Sequence, residues 1–221
     1  YSSVPGINCF SSDTGTIITF KPDSRVFGKV EFDWKTILIH LRQQAYLTKG
    51  VKIEVIDRRR KGQIDQYNFY FEGGVRSYVR FLTKGKDKLS APIYFEEKEN
   101  GVLIEIALRY TDDFNEQVLT FANNIYTENG GTHLTGFRSS LTRVINDYIK
   151  KQKLGDKGMD RVSGQDTREG LTAVINVKLK EPQFEGQTKG KLGNPEVRSA
   201  VETVVNESLS TYFEENPQDS T

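Results

Sequence analysis

Residues 93–111 read IYFEEKENGVLIEIALRYT. Two runs rich in β-branched and aromatic residues meet at Asn100-Gly101. A two-residue Asn-Gly link suits a turn with positive φ at both positions, whose twist matches that of the strands it joins. The stretch therefore predicts an antiparallel hairpin. Beyond it, EQVLTFANNI (116–125) reads as a third strand and LTAVINVKLK (171–180) as a fourth. Between them, TENGG turns the chain into a long helix over 133–152, with Leu134, Phe137, Leu141, Val144, Ile145 and Tyr148 as its apolar stripe. A last helix opens at NPEVRS, with Asn194 expected as N-cap and Pro195 at the first helical position.

Upstream, GTIITFK (15–21) reads as a strand ended by Pro22-Asp23, and Asp33 as the N-cap of a helix over 34–47. VKIEVID (51–57) alternates cleanly, Arg58-Arg59-Arg60-Lys61-Gly62 reads as a charged hairpin turn, and QYNFYFEG (66–73) as the return strand. Gly73-Gly74 opens a short helix, followed by the lysine-rich TKGKDKLSAP. This order gives an α+β chain in two parts, with a boundary near Gly73 and a first part too small to close its own core.

The chain has 221 residues and a net charge of +1, so any nucleic-acid contact needs a local basic face. One cysteine, Cys9, excludes an internal disulfide and fits a reducing, cytoplasmic compartment. Two histidines, His40 and His133, far apart in sequence, argue against a histidine metal site. No apolar run approaches the roughly 20 residues that cross a bilayer, so no membrane partner is expected. The chain lacks an initiator Met, and its start reads as a point inside a longer protein or as an added sequence.

FEGQTKGKL (184–192) poses the main chemical question. A phosphate-binding loop of the Walker type needs four residues between its glycines and Ser or Thr after its lysine. Here Gly186 and Gly190 enclose three, and Leu192 follows Lys191. On its residues alone the segment is a solvated loop whose lysines could reach a phosphate held elsewhere. ENGGTHL (128–134) reads as a strand-to-helix turn needing positive φ, with Thr132 as N-cap and His133 in a structural role. Arg143 and Asp147 form an i,i+4 pair on the polar helix face, and Arg138 lies at the edge of the apolar stripe.

Five segments go further together than singly: GTIITFKPD, YFEGG, NNIYTENGGTHLTGFRSSLTRVINDY, DTREGLTAVINVKLKEPQFEGQTKGKLGNPEVRSAVE and ENP. In this order they resemble the B subunits of bacterial DNA gyrases, almost continuously from Gly15 to Pro217. The topoisomerase IV paralogue is the nearest alternative. A standalone nucleic-acid-binding module and the transducer of a mismatch-repair GHKL protein stand further off. The resemblance implies that residues 1–73 are the C-terminal remnant of a GHKL ATPase α/β sandwich. Residues 74–221 would be a ribosomal-protein-like transducer domain with a left-handed βαβ crossover. It further implies that Gln187 and Lys189 reach the γ-phosphate of ATP, Lys189 in a catalytic role. Gly15 and Thr16 would lie in the strand beside the adenine, and Arg138 would line a DNA-sized cavity in a homodimer. The implied cofactors are ATP and Mg²⁺, and the implied partners DNA, the gyrase A subunit and a second B subunit. The remaining ATPase residues would precede this chain and the DNA-cleaving metal site would follow it. The fragment alone is therefore expected to be inactive.

Overall fold

The computed structural model describes residues 15–16, 22–57, 59, 65–153 and 161–217. The chain divides into two compact units, Tyr1–Ile37 and Leu38–Thr221. In the first, Asp23 caps the short helix α1 (Ser24–Phe27), accepting from the Arg25 N–H at 2.9 Å. Asp33 caps α2 (Trp34–Leu47) as expected: its Oδ2 accepts from the Thr36 N–H at 3.0 Å. Most of the expected strand over 15–21 lies outside the described residues. So does the basic run 58–62 apart from Arg59, whose guanidinium meets Asp57 at 2.6 Å.

In the second unit, β1 (Ile53–Asp57) and β2 (Asp65–Phe69) form an antiparallel pair, and α3 (Gly74–Leu82) follows. The hairpin read at 93–111 is present. β3 (Ile93–Glu99) and β4 (Val102–Tyr110) pair in antiparallel register with Glu99 opposite Val102. Asn100 and Gly101 hold φ of 50° and 80°, as this turn requires. The segment 116–125 differs from its reading as one strand. It breaks at Asn123-Asn124, whose φ values of 48° and 63° turn β5 (Gln117–Ala122) back into β6 (Ile125–Tyr126). After α4 (Thr132–Gln152) and a 3₁₀ turn at Asp166–Arg168, β7 (Leu171–Lys178) runs antiparallel to β4 and parallel to β5. The sheet order is β3-β4-β7-β5-β6, so β5 and β7 are parallel neighbours joined through α4. The chain closes with β8 (Phe184–Glu185), β9 (Lys191–Leu192) and α5 (Pro195–Glu215).

Alternation along β4 and β7 sends side chains to two cores. Ile104, Ile106, Leu108, Ala173, Ile175 and Val177 face a layer formed by α4 and α5, with Phe137, Leu141, Val201 and Val204. Ala107 and Val174, with Phe121, face Tyr46, Leu47, Val75, Tyr78 and Val79. There the Tyr46 ring stacks on Phe71 at 3.7 Å and on Tyr78 at 4.6 Å. Buried on both faces, β7 reads as a nearly continuous apolar run rather than an alternating one.

Helices α4 and α5 approach closely because α4 carries small residues on the contact face. A β-carbon on Gly136 would fall 2.6 Å from the Arg198 carbonyl oxygen, and the Ser140 hydroxyl donates to the Glu202 carbonyl at 3.2 Å. One expected cap is corrected. Gly131, not Thr132, is the N-cap of α4, and the Thr132 hydroxyl is buried without a partner. Asn194 is the N-cap of α5 and Pro195 its first residue, as expected, although the Asn194 side chain makes no capping bond. Arg143 and Asp147 are both exposed and form no ion pair with each other. Among the described residues no helix is long and apolar enough to cross a membrane.

Candidate functional site

FEGQTKGKL is a hairpin rather than a plain loop. Phe184 pairs with Leu192 and Glu185 with Lys191, leaving Gly186–Gly190 as the tip. Two-residue arms cannot hold a hairpin by themselves, and here neighbouring segments hold both arms. Gly193 N–H donates to the Gln183 carbonyl at 2.8 Å. Asn194 Oδ1 accepts from the Gln183 N–H at 2.6 Å, and its Nδ2 donates to the Glu181 carbonyl at 3.1 Å. The Asn194 amide also donates to Glu196 Oε1 at 2.7 Å, which holds that carboxyl below the usual carboxylate range. The side chain of this N-cap residue thus ties the hairpin's base to the start of α5.

The second arm leans on the turn before α4. Leu192 N–H donates to the Gly130 carbonyl at 3.0 Å, and Asn129 N–H to the Gly190 carbonyl at 2.8 Å. The two glycines of GGTH take the positive φ expected of them, 66° and 137°. His133, just beyond, is fully buried and structural, as expected. Its Nε2 bonds the Thr127 hydroxyl at 3.0 Å, and burial lowers its pKa to about 4. A neutral imidazole is the form this site accommodates.

At the tip, Gln187 and Lys189 are both exposed. Lys189 holds φ at 55°, a left-handed conformation uncommon outside glycine and asparagine. The two lysines differ. Lys191 is paired with Glu185 at 3.1 Å, whereas Lys189 has no carboxylate partner among the described residues and stands 5.8 Å from the centre of the Phe184 ring. Of these two lysines, Lys189 is thus the one available to an incoming anion. Gly15 and Thr16 fall in the first unit, and both are exposed.

Arg138 belongs to another cluster. Its guanidinium meets Glu116 Oε1 at 2.8 Å, and Arg168 Nε meets the other oxygen at 3.2 Å. One carboxylate therefore answers two guanidiniums and the cluster keeps a net positive charge. Glu116 and Arg168 escaped the sequence reading because they stand far from Arg138 along the chain. The hairpin register was missed because two-residue strands show no periodicity. The Asn-Asn at 123–124 was a turn signal that could have been used.

The DNA gyrase B profile matches residues 74–221. This chain belongs to the DNA gyrase B family. The DNA gyrase B protein of Clostridium acetobutylicum is 51% identical over 211 residues, covering 94% of this chain and 32% of the relative. The chain therefore spans about a third of that relative's length. The 43K ATPase domain of Thermus thermophilus gyrase B, crystallised with an aminocoumarin, is similar at a TM-score of 0.80 and 41% identity over 91% of this chain and 54% of that one. The topoisomerase IV ATP-binding domain of Francisella tularensis gives a TM-score of 0.75 at 26% identity, covering 90% of this chain and 53% of that one. The α+β fold is thus that of gyrase B ATPase-region structures, and within these comparisons identity favours gyrase B over the topoisomerase IV paralogue.

Proposed function

We propose that this chain is the coupling part of a gyrase B protein. Residues 1–73 are the end of the GHKL ATPase domain. Residues 74–221 are the transducer, ribosomal-protein-like, with the β5-α4-β7 crossover left-handed. Its work is to link ATP binding and hydrolysis to DNA strand passage and negative supercoiling. The supporting observation is the β8–β9 hairpin, anchored at both arms, with Lys189 exposed at its tip and paired with no carboxylate among the described residues.

Bound ATP supplies the γ-phosphoryl group, whose negative charge is redistributed as it is transferred. The Lys189 ammonium offsets that charge and the Gln187 carboxamide donates a hydrogen bond to it. Gly15 and Thr16 support the adenine side. These contacts exist only while the terminal phosphate is present, so they report hydrolysis to the rest of the transducer. Mg²⁺ accompanies the nucleotide. Among the described residues no group of three or more His, Cys, Asp or Glu is arranged to hold it. DNA, a second gyrase B chain and the gyrase A protein are the partners, in the cytoplasm, with Arg138 facing DNA. The isolated chain neither hydrolyses ATP nor cleaves DNA. The deciding experiment is Lys189→Ala in the full-length protein. ATP turnover should fall strongly while nucleotide affinity changes little, and unchanged turnover would remove the proposal.

A further inference from the structure

The β5–β6 turn is built from two asparagines, each with a positive φ, a conformation glycine would satisfy as well. What glycine lacks is the side chains, and both are used. Asn123 Nδ2 donates to the Leu179 carbonyl at 2.8 Å and its Oδ1 accepts from the Leu179 N–H at 2.9 Å. Its backbone N–H donates to the Val177 carbonyl at 2.9 Å. The side chain thus extends the β5–β7 ladder one step past the end of both strands. Leu179 enters the short segment that carries the hairpin, whose Glu181 and Gln183 are in turn fastened to Asn194.

Asn124 faces the other way. Its Nδ2 donates to the Thr48 hydroxyl at 3.1 Å, and its carbonyl accepts from Gln44 Nε2 at 3.2 Å. Gln44 lies in the last turn of α2 and Thr48 directly follows that helix. The Asn124 Oδ1 is buried without a partner, so the amide is held at this position by the Thr48 bond rather than by solvation. One stiff two-residue turn therefore holds the end of α2 on one side and the root of the hairpin on the other.

We propose that the Asn123–Asn124 turn is the joint that transmits displacement between the C-terminal end of α2 and the Lys189 hairpin. The proposal rests on reading that hairpin as the phosphate sensor. In physical terms, two packed elements move together when a short, doubly bonded link leaves them no independent freedom. Asparagine is needed at both positions for bonds made in opposite directions, not for the turn itself.

The test uses the full-length protein assembled with its gyrase A partner. Asn123→Gly and Asn124→Gly keep the positive φ and the backbone bonds to Val177 and Gln44, and each removes the side-chain bonds on one side of the joint. Each is expected to leave ATP turnover within about two-fold while lowering superhelical turns introduced per ATP by about five-fold or more. The double variant should be no worse than either single one, because breaking one joint twice adds nothing. Asn123→Asp keeps the acceptor for the Leu179 N–H and loses the donor, so it should fall between Asn123→Gly and wild type. An unchanged supercoiling yield, or losses that multiply in the double variant, would overturn the joint. So would a loss of turnover in step with a lowered melting temperature. If Lys189→Ala leaves turnover intact while the asparagine variants uncouple it, the sensor reading fails and the joint stands.

Discussion

The carbonyl oxygen of Leu192 lies only 2.2 Å from where a β-carbon on Gly131 would sit. The two residues form an isolated bridge, and the Leu192 N–H bonds the Gly130 carbonyl at 3.0 Å. This contact joins the start of α4 to the second arm of the hairpin, and it exists because position 131 has no side chain. Gly131→Ala must push the backbones apart and also force alanine to a φ of 137°. The expected cost is about 3 kcal/mol or more, from strain and lost packing together. Denaturant unfolding of the chain measures it, and a change under about 1 kcal/mol would show that the two segments separate easily.

The two lysines of the hairpin make an internal control. Lys191 is neutralised by Glu185, whereas Lys189 has no carboxylate beside it among the described residues. In the full-length protein Lys189→Ala is expected to lower ATP turnover by about 100-fold, the usual scale for losing one charge-stabilising group. Nucleotide affinity should change by much less, as for a contact made mainly in the transition state. Lys191→Ala should stay close to wild type. Equal effects of the two substitutions would assign the role to net charge rather than to Lys189.

Local rules reached some of this molecule and missed other parts for identifiable reasons. The β3–β4 hairpin was legible because the Asn100-Gly101 turn is encoded by two adjacent residues with one backbone requirement. The cap at Asp33 was legible for the same reason. Asn194 was legible as the N-cap of α5, but the work of its side chain was not, because Gln183 and Glu181 are partners brought close only by the hairpin. Thr132 was misread because the close approach of Leu192 sets the helix start at Gly131. Lys189 came from family resemblance. Composition alone gave a solvated loop, and nothing local distinguishes Lys189 from Lys191 until the register places Glu185 opposite the latter.

His133 makes stability depend on pH in a defined direction. Burial lowers its pKa to about 4, below the 6.5 of a free imidazole. The unfolded chain therefore binds the proton more readily. His133 contributes stability that is fully present above about pH 6.5 and is lost as pH falls toward 4. The slope in that window is about 1.4 kcal/mol per pH unit. Glu105 acts in the opposite sense: burial raises its pKa, so its contribution is present at low pH and is lost as pH rises through that raised value. Unfolding free energies measured from pH 7 to 5 should fall in the wild type. In His133→Asn they should be lower at pH 7 but fall less. A parallel decline in both proteins would assign the acid sensitivity to other groups.

Glu116 sets how much net positive charge the Arg138–Arg168 cluster presents. With both guanidiniums on its two oxygens, the cluster presents one net charge instead of two. The DNA contact proposed for Arg138 would have to compete with that carboxylate. Arg138→Gln in the full-length enzyme should therefore lower DNA-stimulated ATP turnover more than basal turnover, since basal turnover needs no DNA contact. Glu116→Gln should act in reverse, releasing a guanidinium and steepening the salt dependence of DNA affinity by about 0.9 in log–log slope for each added phosphate contact. The same substitution removes two partly exposed ion pairs, a stability cost of about 1–2 kcal/mol that is small enough to leave the protein folded. If Glu116→Gln weakens DNA binding, or if Arg138→Gln lowers both activities equally, the cluster braces the packing of α4 against the start of β5 and does not face DNA.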